Sequence, residues 1–76
     1  MIKVGIIGTG NIGTDLLLKL LREPHLKPVV FSGRRMSSDG IQVAIKHGVN
    51  VTDKGINYFI DNPNCCDVVY DCTSAS

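Results

Sequence analysis

One stretch decides the fold of this chain: Gly8-Thr9-Gly10-Asn11-Ile12-Gly13. The apolar run of residues 3–7 precedes it, and an amphipathic segment follows it. In this context Gly8 permits a tight turn out of a strand, Gly10 lets a pyrophosphate approach the backbone, and Gly13 lets a helix pack close to the strand. Free N–H groups and the positive dipole end of that helix suit phosphate oxygens. The stretch therefore predicts a dinucleotide-binding turn, with a ligand-free glycine-rich turn as the alternative.

The composition fits one small globular domain over residues 1–76, because 43% of the residues are hydrophobic and 20% are charged. A net charge of +1 offers no field that attracts nucleic acid. No segment approaches the roughly 20 apolar residues of a membrane span. Strand-like sequence begins at residue 3, so a signal peptide would overlap the fold. We therefore expect a cytoplasmic protein without nucleic-acid or membrane partners.

Apolar runs and helical spacings alternate along the whole chain. Strands are predicted at residues 3–7, 28–32, 49–51 and 67–71, and helices at residues 11–23, 37–47 and 53–62. Right-handed crossovers then give an α/β fold, a Rossmann-like parallel sheet of βαβαβαβ order with strands arranged 3-2-1-4, as part of a larger domain. Ligands bind at the carboxyl ends of such strands, between the first and the fourth. Both residues 8–13 and residues 72–76 are expected there.

Each predicted helix carries apolar residues at helical spacing, which indicates a buried face. The expected buried residues are Ile12, Leu16, Leu17, Leu20 and Leu21 in the first helix, Ile41, Ala44 and Ile45 in the second, and Ile56, Phe59 and Ile60 in the third. The expected helix-terminal residues are Ser37, Ser38 or Asp39 as cap of the second helix, Thr52 or Asp53 as cap of the third, and Gly48 as a left-handed stop.

The end of the second predicted strand carries no acidic residue, although NAD-binding units commonly place one there for the ribose hydroxyls. Arg34 and Arg35 follow instead, and a guanidinium matches a 2′-phosphate in charge and shape. Solvated loop arginines are the alternative. We predict that NADP binding at least competes with NAD binding. Thr73 and Ser74 follow the fourth strand, where they either let the cofactor pass close to the backbone or cap a following helix.

No catalytic constellation or metal-ligand spacing is present in the sequence. Cys65, Cys66 and Cys72 match no disulfide framework, and reduced cysteines in or near the core are expected. Cys72 falls near the predicted crevice, but no histidine lies close in sequence to activate it. The two histidines are expected at the surface, and Asp15 is expected to point outward from the first turn of the first helix.

Three stretches in the same order resemble acylating acetaldehyde dehydrogenases, and the resemblance covers essentially the whole chain. They are residues 4–16, the sequence Ser38-Asp39-Gly40, and residues 67–75, which look like the family's D-I-V-F-D-A-T-S-A segment. Cys72 stands where that segment has alanine. Ser32-Gly33-Arg34 stands where many members have Ile-Asp-Pro, which loosens the expected ribose contact.

The resemblance implies the N-terminal NAD-binding part of an enzyme that oxidises acetaldehyde with NAD and transfers the acyl group to coenzyme A. The family's catalytic cysteine would lie beyond the equivalent of Ser76. The parent protein is expected to be oligomeric and to pair with 4-hydroxy-2-oxovalerate aldolase in aromatic catabolism. The candidate cofactor-binding residues are Gly8, Thr9, Gly10, Asn11, Ile12, Gly13, Arg34, Thr73 and Ser74, without a catalytic or metal-ligating residue.

Two other functions fit the same residues. A semialdehyde or acyl-phosphate reductase begins with a similar motif, and it would depend on phosphate instead of coenzyme A. A free-standing nucleotide-binding module without catalysis is the alternative outside the enzymes.

Overall fold

A computed structural model of the chain describes residues 1–8, 10–33 and 39–72, with the backbone alone at Asn11. The elements are β1 Ile2–Ile7, α1 Gly10–Leu21, β2 Leu26–Ser32, α2 Asp39–Lys46, β3 Asn50–Thr52, α3 Ile56–Asp61 and β4 Val68–Asp71. The strands pair in the order β3-β2-β1-β4, and every pair is parallel. The predicted Rossmann-like α/β topology is therefore confirmed.

The carboxyl ends of the four strands lie level with one another. Ile7 at the end of β1 stands opposite Ser32 of β2 on one side and Asp71 of β4 on the other. Ser32 in turn stands opposite Thr52, the last residue of β3. This alignment brings the last residues of the four strands to one edge of the sheet.

The opposite edge is fixed by a reciprocal pair of hydrogen bonds between β1 and the residue before β4. The backbone N–H of Lys3 donates to Oδ2 of Asp67 at 2.9 Å, and the backbone N–H of Asp67 donates to the Lys3 carbonyl at 2.8 Å. Two residues separated by 63 others are thus joined at the point where β4 begins. The pair sets the register that places Val68 opposite Val4.

The core has a layer on each face of the sheet. Alternate residues of a strand point to opposite faces. One layer packs under α1 and α2 and contains Val4, Ile6, Leu17, Leu20, Phe31, Ile41, Ala44 and Val49. The other packs under α3 and contains Ile7, Val30 and Phe59. Helices therefore cover both faces, as the continuous apolar run in β2 predicts.

Four isoleucines expected in the core are exposed instead. Ile12, Ile45, Ile56 and Ile60 have 53%, 50%, 58% and 66% of their surface accessible. In α3 Phe59 is the buried residue, and Ile56 and Ile60 are rotated from it by about 60° and 100° to the same side. Ile12 likewise lies about 140° around α1 from the buried Leu17. On these helices the apolar face is therefore wider than the part of it that packs against other described residues.

The helix starts also differ from the expectations. Gly55 occupies the N-cap position of α3 without a side-chain cap bond, so neither Thr52 nor Asp53 caps this helix. Thr52 is the last residue of β3. Its hydroxyl accepts a hydrogen bond from the Lys54 backbone N–H at 3.2 Å, before α3 begins. Because α1 begins at Gly10, Asp15 lies in its second turn and not in its first, although it is exposed as expected.

The ends of α2 are partly as predicted. The helix begins at Asp39, and the alternative caps Ser37 and Ser38 lie outside the described residues. Gly48 follows the helix with φ +76°, which is the left-handed conformation expected of a glycine stop. Its backbone N–H donates to the Ile45 carbonyl at 3.1 Å.

β4 is an edge strand whose apolar residues are about two-fifths exposed. Val68, Val69 and Tyr70 have 41%, 40% and 42% of their surface accessible. Because successive side chains point to opposite faces, both faces of β4 are open within the described part of the chain. No helix among the described residues is long and apolar enough to cross a membrane.

Candidate functional site

The candidate site is at the carboxyl edge of the sheet, where the ladder of hydrogen bonds continues one residue beyond the strands. The backbone N–H of Gly8 donates to the Ser32 carbonyl at 2.8 Å. On the other side, the backbone N–H of Cys72 donates to the Ile7 carbonyl at 2.7 Å. Gly8 and Cys72 therefore leave the sheet at the same height, on neighbouring strands. The point between β1 and β4 is where the strand order reverses, as the sequence predicts for a ligand crevice.

The backbones of Gly8 and Gly13 are in contact, and neither residue has room for a side chain. A Cβ added to Gly13 would lie 2.8 Å from the Cα of Gly8, and one added to Gly8 would lie 2.9 Å from the Cα of Gly13. Carbon atoms in ordinary contact are about 3.5–4.0 Å apart. The absence of both side chains thus allows the first turn of α1 to touch the end of β1.

The ring of Phe31 packs against both glycines of this contact. Phe31 is 2% exposed, and its Cζ would lie 3.2 Å from a Cβ on Gly8 and 3.5 Å from a Cβ on Gly13. A Cβ on Gly40 would meet the same Cζ at 2.8 Å and Oγ1 of Thr14 also at 2.8 Å. One aromatic ring therefore fixes the spacing between β1, α1 and α2. Sequence reasoning missed this role, since the only signal was the Ser38-Asp39-Gly40 stretch of the resemblance.

The first turn of α1 is the part of the site that would face a phosphate group. The helix begins at Gly10, and its first turn carries no acidic residue that would oppose an anion. Ile12 leaves an apolar side chain, 53% exposed, on the same turn. Thr9 lies outside the described residues. A helix of this length offers unpaired backbone N–H groups at its start, together with a partial positive charge.

The Ser32 hydroxyl and the Gly33 backbone N–H, at the end of β2, bond to the segment from β3 to α3. Ser32 is 1% exposed, and its hydroxyl donates to the Gly55 carbonyl at 3.3 Å, towards the loop before α3. The next residue, Gly33, donates its backbone N–H to the Thr52 carbonyl at 3.0 Å. Neither residue replaces the missing ribose-binding carboxylate. Arg34, which the sequence offers instead, lies outside the described residues.

Cys72 lies at the carboxyl end of β4, beside the end of β1, but its thiol is not activated. Burial raises the pKa of this thiol above its ordinary value, and the neighbouring Asp71 carboxylate raises it further. A nucleophilic cysteine needs the opposite shift, since the thiolate is the reactive form. Thr73 and Ser74 lie outside the described residues. Among residues 1–8, 10–33 and 39–72, no group of three or more His, Cys, Asp or Glu side chains could hold a metal ion.

Comparison with curated proteins identifies relatives that share almost the whole of this chain. The chain is 50% identical over 74 residues to an acetaldehyde dehydrogenase of Pectobacterium atrosepticum, which is 97% of this chain and 25% of that protein. The values for an acetaldehyde dehydrogenase of Spirochaeta aurantia are the same. A propanal dehydrogenase (CoA-propanoylating) of Mycobacterium bovis is 44% identical over 73 residues, which is 96% of this chain and 24% of that protein.

The chain thus spans about a quarter of the length of the curated relatives that it matches. No protein-family model matches it.

Proposed function

The chain is homologous to acetaldehyde dehydrogenases over about a quarter of their length, and on this premise we propose that it forms the N-terminal nucleotide-binding portion of an acylating aldehyde dehydrogenase. The ligand proposed for this portion is a nicotinamide dinucleotide, NAD or NADP. The single observation that carries the proposal is the contact between Gly8 and Gly13, because it brings the start of α1 to the carboxyl end of β1. A dinucleotide pyrophosphate requires that geometry.

Residues on three sides of the crevice have distinct proposed roles. The backbone N–H groups at the start of α1 would hold the pyrophosphate, and Gly10 would allow its close approach. The exposed Ile12 would lose its contact with water when the cofactor covers it. Thr73 and Ser74 would lie along the other wall, after β4. The bound nicotinamide would supply the hydride acceptor, and the residues of this chain would hold and orient it.

Arg34 is proposed to decide between NAD and NADP. The hydroxyl of Ser32 is engaged with Gly55, so it does not take the place of the missing acid. A guanidinium after β2 would instead favour the 2′-phosphate of NADP. The expected result is that NADP binds at least as tightly as NAD and that Arg34→Ala weakens NADP binding alone.

For the longer protein we propose the aldehyde oxidation and acyl transfer to coenzyme A that the names of the relatives suggest. The substrate would be acetaldehyde or propanal, since both names occur among the relatives. A cytoplasmic oligomer that receives the aldehyde from 4-hydroxy-2-oxovalerate aldolase in aromatic catabolism completes the proposal. Because the Cys72 thiol after β4 is not activated, the 76-residue chain alone should not turn over the aldehyde.

Cofactor titration of the chain tests the nucleotide-binding proposal. Thermal unfolding followed by circular dichroism, with increasing NADH or NADPH, should show a midpoint that rises with cofactor concentration, because a ligand of the folded state alone stabilises it. A matched pair of variants separates binding from folding. Ile12→Asp places an acid beside the phosphates and should abolish the rise, whereas Ile60→Asp, also on an exposed helical isoleucine, should leave it unchanged. A folded chain whose midpoint responds to neither cofactor would refute the proposal.

A further inference from the structure

The loop between α3 and β4 holds two adjacent cysteines whose sulfur atoms are in contact. The Sγ atoms of Cys65 and Cys66 are 3.1 Å apart, and both side chains are half-buried. The backbone N–H of Cys65 donates to the Asn62 carbonyl at 3.1 Å, so this segment is a turn and not part of the sheet. A change of conformation at the two residues therefore breaks no hydrogen bond between strands.

The surroundings of the two thiols differ. Cys66 packs against the middle of β1, and its Sγ is 2.9 Å from the position of a Cβ on Gly5. The same Cβ position is 2.5 Å from the ring of Phe59, so sulfur and ring fill the space above Gly5 together. Cys65 contacts the same apolar layer. Cys66 is thus the thiol that packs beside Phe59 against β1.

We propose that Cys65 and Cys66 are a modification site that exchanges with low-molecular-weight disulfides, such as oxidised glutathione, and closes to a disulfide between neighbouring residues. Cys65 loses its proton and attacks one sulfur of the external disulfide, which releases one glutathione thiol and leaves a mixed disulfide on Cys65. Cys66 then loses its proton and attacks the Cys65 sulfur, which releases the second glutathione thiol. The protein pair is oxidised by two electrons, and one glutathione disulfide is reduced to two thiols.

The order of the two attacks follows from the environment of the Cys66 thiol. Burial raises the pKa of Cys66 to about 12, and the hydrogen bond and charge of Cys65 contribute to this shift. Cys66 is therefore protonated at neutral pH and is a poor first nucleophile. Once Cys65 is in the mixed disulfide, its thiol no longer contributes to the raised pKa of Cys66. Cys66 then becomes easier to ionise beside the sulfur that it attacks.

The closed form should be easily reduced again. The Cα atoms of adjacent residues are about 3.8 Å apart, whereas those of disulfide-bonded residues are usually about 4.4–6.8 Å apart. A ring closed over one peptide bond is therefore strained, and strained disulfides are the labile ones. This predicts a reversible modification and not a structural crosslink.

Cys72 does not compete for either thiol within one chain. It follows β4, whose four residues extend over about 13 Å at about 3.3 Å per residue. Cysteines with Cα atoms more than about 7 Å apart do not form a disulfide without backbone movement. Cys72→Ala, the residue that the resemblance places there, gives a background in which only the adjacent pair reacts.

The test is the mass of the Cys72→Ala chain after incubation with oxidised glutathione under native conditions. The expected product is lighter by about 2 Da, with the new bond located in the peptide that contains both cysteines, and dithiothreitol restores the starting mass. With Cys66→Ser added, the reaction should stop at a mixed disulfide about 300 Da heavier. With Cys65→Ser added, the adduct should form at least tenfold more slowly. A stable glutathione adduct on the chain that keeps both cysteines would overturn the proposal, as would an unreacted pair or a covalent dimer.

Discussion

Replacement of Gly13 by alanine tests whether the close contact between α1 and β1 holds this fold together. The added Cβ would lie 2.8 Å from the Cα of Gly8 and 3.4 Å from its carbonyl carbon. Both neighbours are backbone atoms, so no side-chain rotation relieves the overlap. Gly8 is itself held by its hydrogen bond to Ser32 and by the ring of Phe31. The helix must therefore move away from the strand by about 0.7 Å or more to reach ordinary contact.

Two opposing effects set the change in the free energy of unfolding that Gly13→Ala causes. Overpacking of this kind costs about 1–3 kcal/mol. Alanine inside a helix is more favourable than glycine by about 0.8–1.0 kcal/mol, which offsets part of the cost. Because the overlap is with backbone, we take the upper half of the first range and expect a net loss of about 1–2 kcal/mol. For a domain of this size that corresponds to a fall in Tm of roughly 5–15 °C.

Thermal and urea unfolding of the two proteins, followed by circular dichroism, measures this loss. Gly48→Asn is the control, because a Cβ there meets nothing within 4 Å and asparagine tolerates the positive φ of 76°. It should change the free energy of unfolding by less than about 0.5 kcal/mol. A Gly13→Ala chain with a Tm equal to or above that of the wild type would show that helix propensity outweighs the contact. The reasoning from the two glycines would then be wrong.

Three further predictions concern α3 and the loop that follows it. Phe59→Ala should lower the free energy of unfolding by about 3 kcal/mol, whereas Ile60→Ala should change it little, because Phe59 is 9% exposed and Ile60 66%; urea unfolding measures both. Asp67→Ala should cost about 0.5–1.5 kcal/mol in the same assay, since it removes the acceptor of the Lys3 N–H. The thiol of Cys66 should make stability depend on pH above 9, because its pKa is raised from 9.0 to about 12 in the folded chain. Its contribution is complete below pH 9 and is lost as the pH rises towards 12, so the Tm difference between wild type and Cys66→Ala should change over that interval.

Each of these three has a contrary result. Similar losses for Phe59→Ala and Ile60→Ala would mean that α3 packs on a different face. An Asp67→Asn chain as unstable as Asp67→Ala would contradict the carboxylate oxygen as the acceptor, because the amide keeps one acceptor oxygen. A Tm difference between wild type and Cys66→Ala that stays constant from pH 9 to 12 would show that the thiol titrates normally in the folded chain.

The topology was predictable from the sequence because it follows from local rules. Three local signals each restrict the conformation of a few residues. They are the turn with Gly8 and Gly13 before a helix, the left-handed Gly48, and the apolar runs between helical segments. Right-handed crossovers then leave few strand orders. The observed order β3-β2-β1-β4 is the one that these rules select.

The burial of individual side chains was less predictable, because it depends on how far each helix face extends over the sheet. Ile56 and Phe59 have similar hydrophobicity and helical spacing, yet one is exposed and the other is buried. The periodicity of the sequence predicts how wide the apolar face of a helix is, but not how much of that face contacts the sheet. The role of Phe31 was missed for a related reason, since Gly8, Gly13 and Gly40 meet on its ring only after folding.

The central position of β1 has a consequence for the growing chain on the ribosome. β1 is synthesised first, but its two neighbours are β2 and β4, and its bonds to Asp67 span 64 positions of sequence. At about 5–20 residues per second, Asp67 is added roughly 3–13 s after Lys3. One edge of the middle strand therefore emerges long before the segment of this chain that completes it. A nascent chain stalled before β4 should be a better substrate for chaperones than one stalled after it, because an open strand edge invites non-native pairing.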